Sequence, residues 1–446
     1  MSMKFLSVTL ALGLGMASFS ASATNLADIY RLALENDPQL LRAAAERDAA
    51  KSSVDVSRAD WWPQIQYTAS YRDVDSDRSE QQVDPSLPSG SNRSFGHEIG
   101  LSQTVFNLGT WRGTAITEKQ AYQAELNYFL QRQQVMLRVT NAYFTVLEAQ
   151  DSLEFAQAEK RAIERQLEQT RHRFSVGLTA ITDVHEAQAQ YDIAVTREIQ
   201  AQNAVEIALE GLREITGRGH QDIHVLDTEN FSPERPSPAG VRDWIETAHD
   251  RNIQLLISRS GLEIADQRIE LARAGHYPRV SLSAGYSIDN RGTDFGFDGQ
   301  DTRTIGLNLT LPLFQGGRTI ASTEEARNSY VAVAQTLEEN RRLVERTVRT
   351  AYLDVMSSIS NIQALEQAVV SAESALNATE VGFEVGTRTI VDVLDSTRNL
   401  FNARRNLSEA RYNYINRILA LYQAAGIITE NDLLAINQGL RPADNS

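Results

Sequence analysis

The chain has 446 residues, a formal net charge of −15 and no cysteine. Without thiols there is no disulfide framework, no Cys-based metal site and no lipid anchor on a cysteine. The acidic balance argues against nucleic acid as a partner, because phosphate binding relies on a basic surface.

At the N-terminus, Lys4 is followed by an apolar run from Phe5 to about Ala17 and by Ala21-Ser22-Ala23, the small-x-small form of a signal-peptidase site. Residues 1–23 therefore read as a signal peptide, with the mature chain starting at Thr24. The run is too short for a helix to cross about 30 Å of hydrocarbon, and no later stretch is long and apolar enough. Periplasmic, secreted and β-barrel outer-membrane fates stay open.

Sliding the sequence along itself exposes a duplication. Phe174-Ser175-Val176-Gly177 with Ile181-Thr182-Asp183-Val184 aligns with Phe383-Glu384-Val385-Gly386 with Ile390-Val391-Asp392-Val393. Trp62-Pro63-Gln64-Ile65 aligns with Tyr277-Pro278-Arg279-Val280, and Thr104-Val105-Phe106 with Pro312-Leu313-Phe314. We expect repeat one over 24–218, a linker over 219–240 that holds three prolines, repeat two over 241–426 and a tail over 427–446. Each repeat should run helix, two strands, long helical hairpin.

Strand signals come first in each repeat. Ile65, Tyr67, Ala69 and Tyr71 alternate with other residues, and Ile99, Leu101 and Val105 do so more weakly, with Gln103 interrupting. In the second repeat Val280, Leu282, Ala284, Tyr286 and Ile288 alternate with small polar residues, as do Ile305, Leu307, Leu309, Leu311 and Leu313. Such runs match the ~9–11 residues of a tilted membrane strand. Four strands cannot close a barrel, and an open edge in lipid leaves backbone groups unsatisfied. Several copies must therefore share one barrel.

The strand-to-strand loops, Asp73 to Ser94 and Asp289 to Asp301, are acidic, with Asp73, Asp75, Asp77, Glu80 and Asp84 in the first and Asp294 and Asp298 in the second. A calcium site in the second loop stays open, but neither an EF-hand nor a glycine-aspartate repeat is present.

Glycine and proline are both absent from Thr114 to Val176 and from Arg318 to Val381, so each stretch can be one helix of roughly 90–100 Å. Mostly apolar positions recur at spacings of three and four: Val146, Ala149, Leu153, Ala156, Lys160, Ile163, Leu167, Thr170 and Phe174, then Val355, Ser358, Ile362, Leu365, Val369, Ala372, Leu376, Thr379 and Phe383. After turns at Gly177 and Gly386 the rhythm resumes from Val184 and from Val393, which predicts two antiparallel coiled-coil hairpins. Both strands of each pair connect to helices at the same end, so the helices lie on one side of the membrane, the periplasmic side if the loops face out.

Arg173-Phe174-Ser175-Val176-Gly177, Ala180-Ile181-Thr182-Asp183-Val184 and Val385-Gly386-Thr387-Arg388-Thr389-Ile390-Val391-Asp392-Val393-Leu394-Asp395 resemble the TolC family of outer-membrane efflux and secretion proteins. The likeness covers nearly the whole mature chain. It implies a mixed fold: a trimer whose outer-membrane β-barrel takes four strands per chain, twelve in total, and continues into a long α-helical coiled-coil periplasmic tunnel. It implies an exit duct for efflux of small molecules or type I secretion of polypeptides, closed at its periplasmic tip and opened by an inner-membrane transporter complex. The partners implied are two further copies of the chain, outer-membrane lipid, a periplasmic adaptor and an RND or ABC transporter.

The resemblance carries over residue by residue at the tip. Asp392 and Asp395 sit one helical turn apart, and a trimer presents six such carboxylates around a narrow opening, which binds cations. Close like charges push carboxyl pKa values upward. Arg388 corresponds to an arginine that holds the closed state by bonding a neighbouring protomer at the positions of Thr182 and Asp183. Phe383 stands where the family has a tyrosine whose hydroxyl reaches that aspartate, so one polar latch is missing here and the gate should lean on Arg388 and close less tightly. Glu186, the counterpart of Asp395 in repeat one, is either a second acidic tier or an exposed acid.

The competing reading is a non-conducting periplasmic coiled-coil scaffold or adaptor. An enzyme is not expected, since no P-loop and no Gly-x-Ser-x-Gly elbow occurs, and neither a cofactor nor a metal is implied. His220 and His224 flank Asp222 and are a weak zinc signal, while His172 and His185 beside the tip read as solvated.

Overall fold

The computed structural model describes residues 24–74, 92–220, 222–293 and 296–442. The signal-peptide reading on 1–23 and the acidic loop residues Asp75, Asp77, Glu80, Asp84 and Asp294 lie outside the described residues.

The chain opens with two helices, α1 (Leu26–Asn36) and α2 (Pro38–Ala59). The break between them is set by Asp37, whose carboxylate accepts the Leu40 amide at 3.0 Å, and by Pro38, which is pre-shaped for the first helical position. Strands β1 (Gln64–Val74) and β2 (Asn92–Asn107) follow, then the helical hairpin α3 (Leu108–Ser175) and α4 (Ile181–Thr216). After a short strand, β3 (Val225–Leu226), the order repeats as α5 (Val241–Arg251), α6 (Ile253–Arg273), β4 (Arg279–Thr293), β5 (Gly296–Thr310), α7 (Arg318–Glu384) and α8 (Ile390–Ala425). The α5–α6 break repeats the α1–α2 break with Asn252 as the cap, accepting the Leu255 amide at 3.2 Å. The chain closes with α9 (Glu430–Gln438) and β6 (Leu440–Arg441), which pairs with β3.

Two boundaries differ from expectation. Helix α3 starts at Leu108 rather than Thr114 and runs through Gly109 and Gly113, because Asn107 accepts the Gly109 amide at 2.9 Å and caps the helix there. Strand β5 ends at Thr310, before the expected Leu311 and Leu313, since Pro312 has no amide to donate to a ladder.

The four long strands form one antiparallel sheet in the order β1-β2-β4-β5, with a bulge in β2 between Thr104 and Phe106. Ile305, Leu307 and Leu309 are 85%, 70% and 65% exposed on one face and stand opposite Ala284, Leu282 and Val280. Thr304, Gly306, Asn308 and Thr310 occupy the other face. A sheet this apolar on one side only is satisfied by lipid outside and water inside. Its edges, β1 and β5, must be paired by neighbouring protomers.

The helices leave the same kind of edge. Along its roughly 100 Å, α3 packs on α2 near the membrane and on α4 beyond, and α7 packs likewise on α6 and α8. The two hairpins join through α3 and α8, which puts α4 and α7 on the outer flanks of each protomer. Apolar Ile199 and Ile207 on α4 and Leu353 and Val370 on α7 remain exposed there.

Two cores hold the hairpins. The larger encloses Leu26, Ile29, Tyr143, Phe144, Trp244 and Ile362 about halfway along the long helices. The 219–240 segment is tied into it, because the Trp244 indole donates to the Pro238 carbonyl at 2.7 Å and the Tyr143 hydroxyl to the His224 carbonyl at 2.7 Å. His220 is buried against Thr216 at 3.0 Å, and burial, with Arg218 nearby, lowers its pKa. No group of acidic residues and histidines among the described residues is arranged to hold a metal ion.

The smaller core lies at the far end, where Ile163, Leu167, Ala187, Ala194, Phe383, Ile390, Val393 and Leu394 draw all four long helices together. Between the cores, the polar Lys160 in the apolar rhythm is explained by Glu198 of α4, which meets it at 2.6 Å.

Candidate gate at the helical tip

Both hairpins turn by the same device. Helix α3 ends with Gly177 at φ +78°, where the Leu178 amide donates to the Arg173 carbonyl at 2.8 Å and the Gly177 amide to the Phe174 carbonyl at 2.9 Å. Helix α7 ends with Gly386 at φ +82°, where the Thr387 amide donates to the Gly382 carbonyl at 2.8 Å and the Gly386 amide to the Phe383 carbonyl at 3.1 Å. This is the double closure that uses up orphan carbonyls at a helix C-terminus and needs a left-handed residue after the cap.

Helix α8 then starts from a reciprocal cap. The Asp392 carboxylate accepts the Thr389 amide and the Thr389 hydroxyl, each at 2.9 Å, while the Thr389 oxygen accepts the Asp392 amide at 3.3 Å. These bonds, the backbone one foremost, hold the Asp392 carboxyl below the usual range, and Arg388 adds to the effect. Within one protomer the direction is thus opposite to the upward push expected of a carboxylate ring, which acts only between protomers. Asp395 lies one turn on and pairs with Arg398 at 2.8 Å, on a partly exposed surface.

Arg388 is exposed and has no ion pair among the described residues of its own chain. Its stem folds over Gly382, where an added Cβ would stand 2.8 Å from the Arg388 Cγ. Thr182 is exposed at the start of α4, and Asp183 beside it accepts a bond from the Thr179 hydroxyl. The chain does not bring Arg388 to Thr182 and Asp183, because they sit on its opposite flanks, α7 and α4. Glu186 is half-buried and accepts from Gln190 at 3.3 Å, while His172 and His185 are exposed.

Phe383 is 8% exposed and belongs to the tip core. The guanidinium of Arg173 lies over its ring, 4.7 Å from the centroid. Nothing in the local sequence around Arg173 signals this contact, which arises only where the two hairpins meet.

An open lipid-facing sheet on a helical shaft with paired glycine turns defines a tunnel-forming subunit of the outer membrane. A sequence profile described as outer membrane efflux protein matches residues 29–218 and 244–427, and the chain belongs to that family. It is 45% identical to outer membrane protein TolC of Vibrio cholerae serotype O1 over 99% of each chain. It is 30% identical to the alkaline protease secretion protein AprF of Pseudomonas aeruginosa over 93% of this chain and 86% of that one. Among solved structures it is similar to the Campylobacter jejuni CmeC outer membrane channel, with a TM-score of 0.77 at 16% identity, covering 99% of this chain and 98% of that one.

The family is one of transport channels rather than enzymes, and the chain is an outer-membrane exit duct whose helical tunnel stands in the periplasm. Membership overturns the competing scaffold reading.

Proposed function

We propose that three protomers form a duct that is shut at the periplasmic tip by Arg388 bonding Thr182 and Asp183 of a neighbour, and that Asp392 and Asp395 ring its aperture. The observation that carries this reading is the placement of α4 and α7 on opposite flanks. When protomers associate flank to flank, the turn after α7 in one copy meets the start of α4 in the next, so an arginine without an ion pair at home faces a threonine and an aspartate. A charge-assisted bond of this kind stabilises by roughly 1.5–3 kcal/mol, repeated in each protomer. Close like charges across the ring attract cations to the aperture.

The duct serves both small-molecule efflux and polypeptide export, in line with the similarity to TolC and to a protease secretion protein. It is opened from below by an inner-membrane transporter of RND or ABC type acting through a periplasmic adaptor. The mature chain begins at Thr24, which N-terminal sequencing of outer-membrane material checks.

Conductance of purified trimers in planar bilayers tests the gate. Wild type should pass low current, Arg388→Ser should raise it, and Asp392→Ala with Asp395→Ala should abolish block by trivalent cations. Undiminished block in that double variant sinks the aperture assignment.

A further inference from the structure

We infer that Arg173 is a positioning residue of the gate, and that its stacking on Phe383 ties the first hairpin to the second where the family's tyrosine hydroxyl is missing. This inference rests on the gate reading above.

Arg173 occupies the last turn of α3, and Phe383 the last turn of α7. These two helices are not packing partners along the shaft, where α3 meets α4 and α8 while α7 meets α8. Each residue is also fixed by its own turn, since the Arg173 carbonyl accepts the Leu178 amide and the Phe383 carbonyl accepts the Gly386 amide. The 4.7 Å contact therefore joins side chains whose backbones are each held in a hydrogen-bonded turn.

The chemistry favours a stack over a hydrogen bond. Phe383 offers only a π face, and a guanidinium is the planar cation that covers such a face. Among the described residues the buried Arg173 Nε has no hydrogen-bond partner, and the Phe383 ring lies beneath the guanidinium carbon. Any opening in which the second hairpin moves away from the first separates ring from guanidinium in every protomer. The stack thus weights the closed state without touching the aspartates of the aperture.

The test uses the full-length trimer in planar bilayers, with Arg173→Met, Phe383→Leu, their combination, and Arg173→Lys. Both single variants should raise resting open probability on the order of tenfold, and the combination should rise no further than the larger single effect. Arg173→Lys should fall between wild type and Arg173→Met. Trivalent-cation block should persist throughout, because Asp392 and Asp395 are intact. Resting current at the wild-type level in Arg173→Met trimers overturns the inference, as does full additivity in the double variant. Arg388→Ser measured alongside separates the two readings. If it opens the duct while Arg173→Met does not, the stack alone is wrong, and if neither opens it, the gate reading falls too. Arg173 is only partly buried, so Arg173→Met decides the matter even if Phe383→Leu trimers do not assemble.

Discussion

Thr389 and Asp392 cap each other at the start of α8, so the carboxylate that faces the proposed aperture is also the one that anchors its helix. The Asp392 carboxyl is held low by the Thr389 amide and hydroxyl. A depressed folded-state pKa stabilises above the unfolded-state value, and that contribution is lost as pH falls through the folded-state one. In the trimer this pull opposes the upward push between neighbouring carboxylates, so its removal should be visible in the acid limit of cation block. Thr389→Val removes the hydroxyl bond, and block measured against pH should then fail at a higher pH than in wild type.

Glu159 of α3 is 1% exposed and bonds Arg197 of α4 at 2.6 Å, with Arg405 of α8 at 3.9 Å. One buried carboxylate thus compensates cations from two other helices. Glu159→Ala leaves two arginines, each about a third exposed, without that partner, at a cost of roughly 1–2 kcal/mol per protomer. Thermal dissociation of the trimer should shift down clearly, and more than for Glu373→Ala, which breaks an exposed pair with Arg404.

Gly386 and Gly426 are both left-handed, at φ +82° and +75°, but their surroundings differ. A Cβ on Gly386 meets nothing within 4 Å among the described residues of its own protomer, so Gly386→Ala costs mainly backbone strain of about 1 kcal/mol. A Cβ on Gly426 would stand 2.4 Å from the Arg251 carbonyl oxygen, where backbone cannot yield. Gly386→Ala should still give trimers, whereas Gly426→Ala should leave little folded protein in the outer-membrane fraction.

Asp151 of α3 accepts bonds from Ser408 and, at 2.8 Å, from Tyr412 of α8. Burial pushes its pKa up against the pull of those bonds, with Glu154 adding to the rise and Arg411 opposing it. A raised folded-state pKa means that its contribution to stability is complete below the unfolded-state value and is lost as pH rises through the folded-state one. Asp151→Asn stays neutral, so its trimers should lose less stability than wild type as pH rises from the ordinary aspartate range upward, as read by thermal dissociation.

The membrane strands were legible because period two is a local property: Ile305, Leu307 and Leu309 announce a lipid face without reference to any partner. The helices were legible for the same reason, through spacings of three and four ended by Gly177 and Gly386. Strand and helix limits were less so, since a cap such as Asn107 or a stop such as Pro312 competes with the apolar pattern and only backbone bonding decides where each wins.

At the tip, the glycine turns, the Asp392–Asp395 spacing and the absence of a hydroxyl at Phe383 could be read from the chain alone, because each lies within one turn or one helix. Tertiary structure decided the rest. Arg173 and Phe383 are 210 positions apart and meet only because two hairpins converge on one small apolar core. Arg388 and Asp183 fall on opposite flanks of one chain because α3 and α8, and not α4 and α7, form the seam between the hairpins. Contacts of this kind depend on which faces pack together, and no local period in the chain encodes that choice.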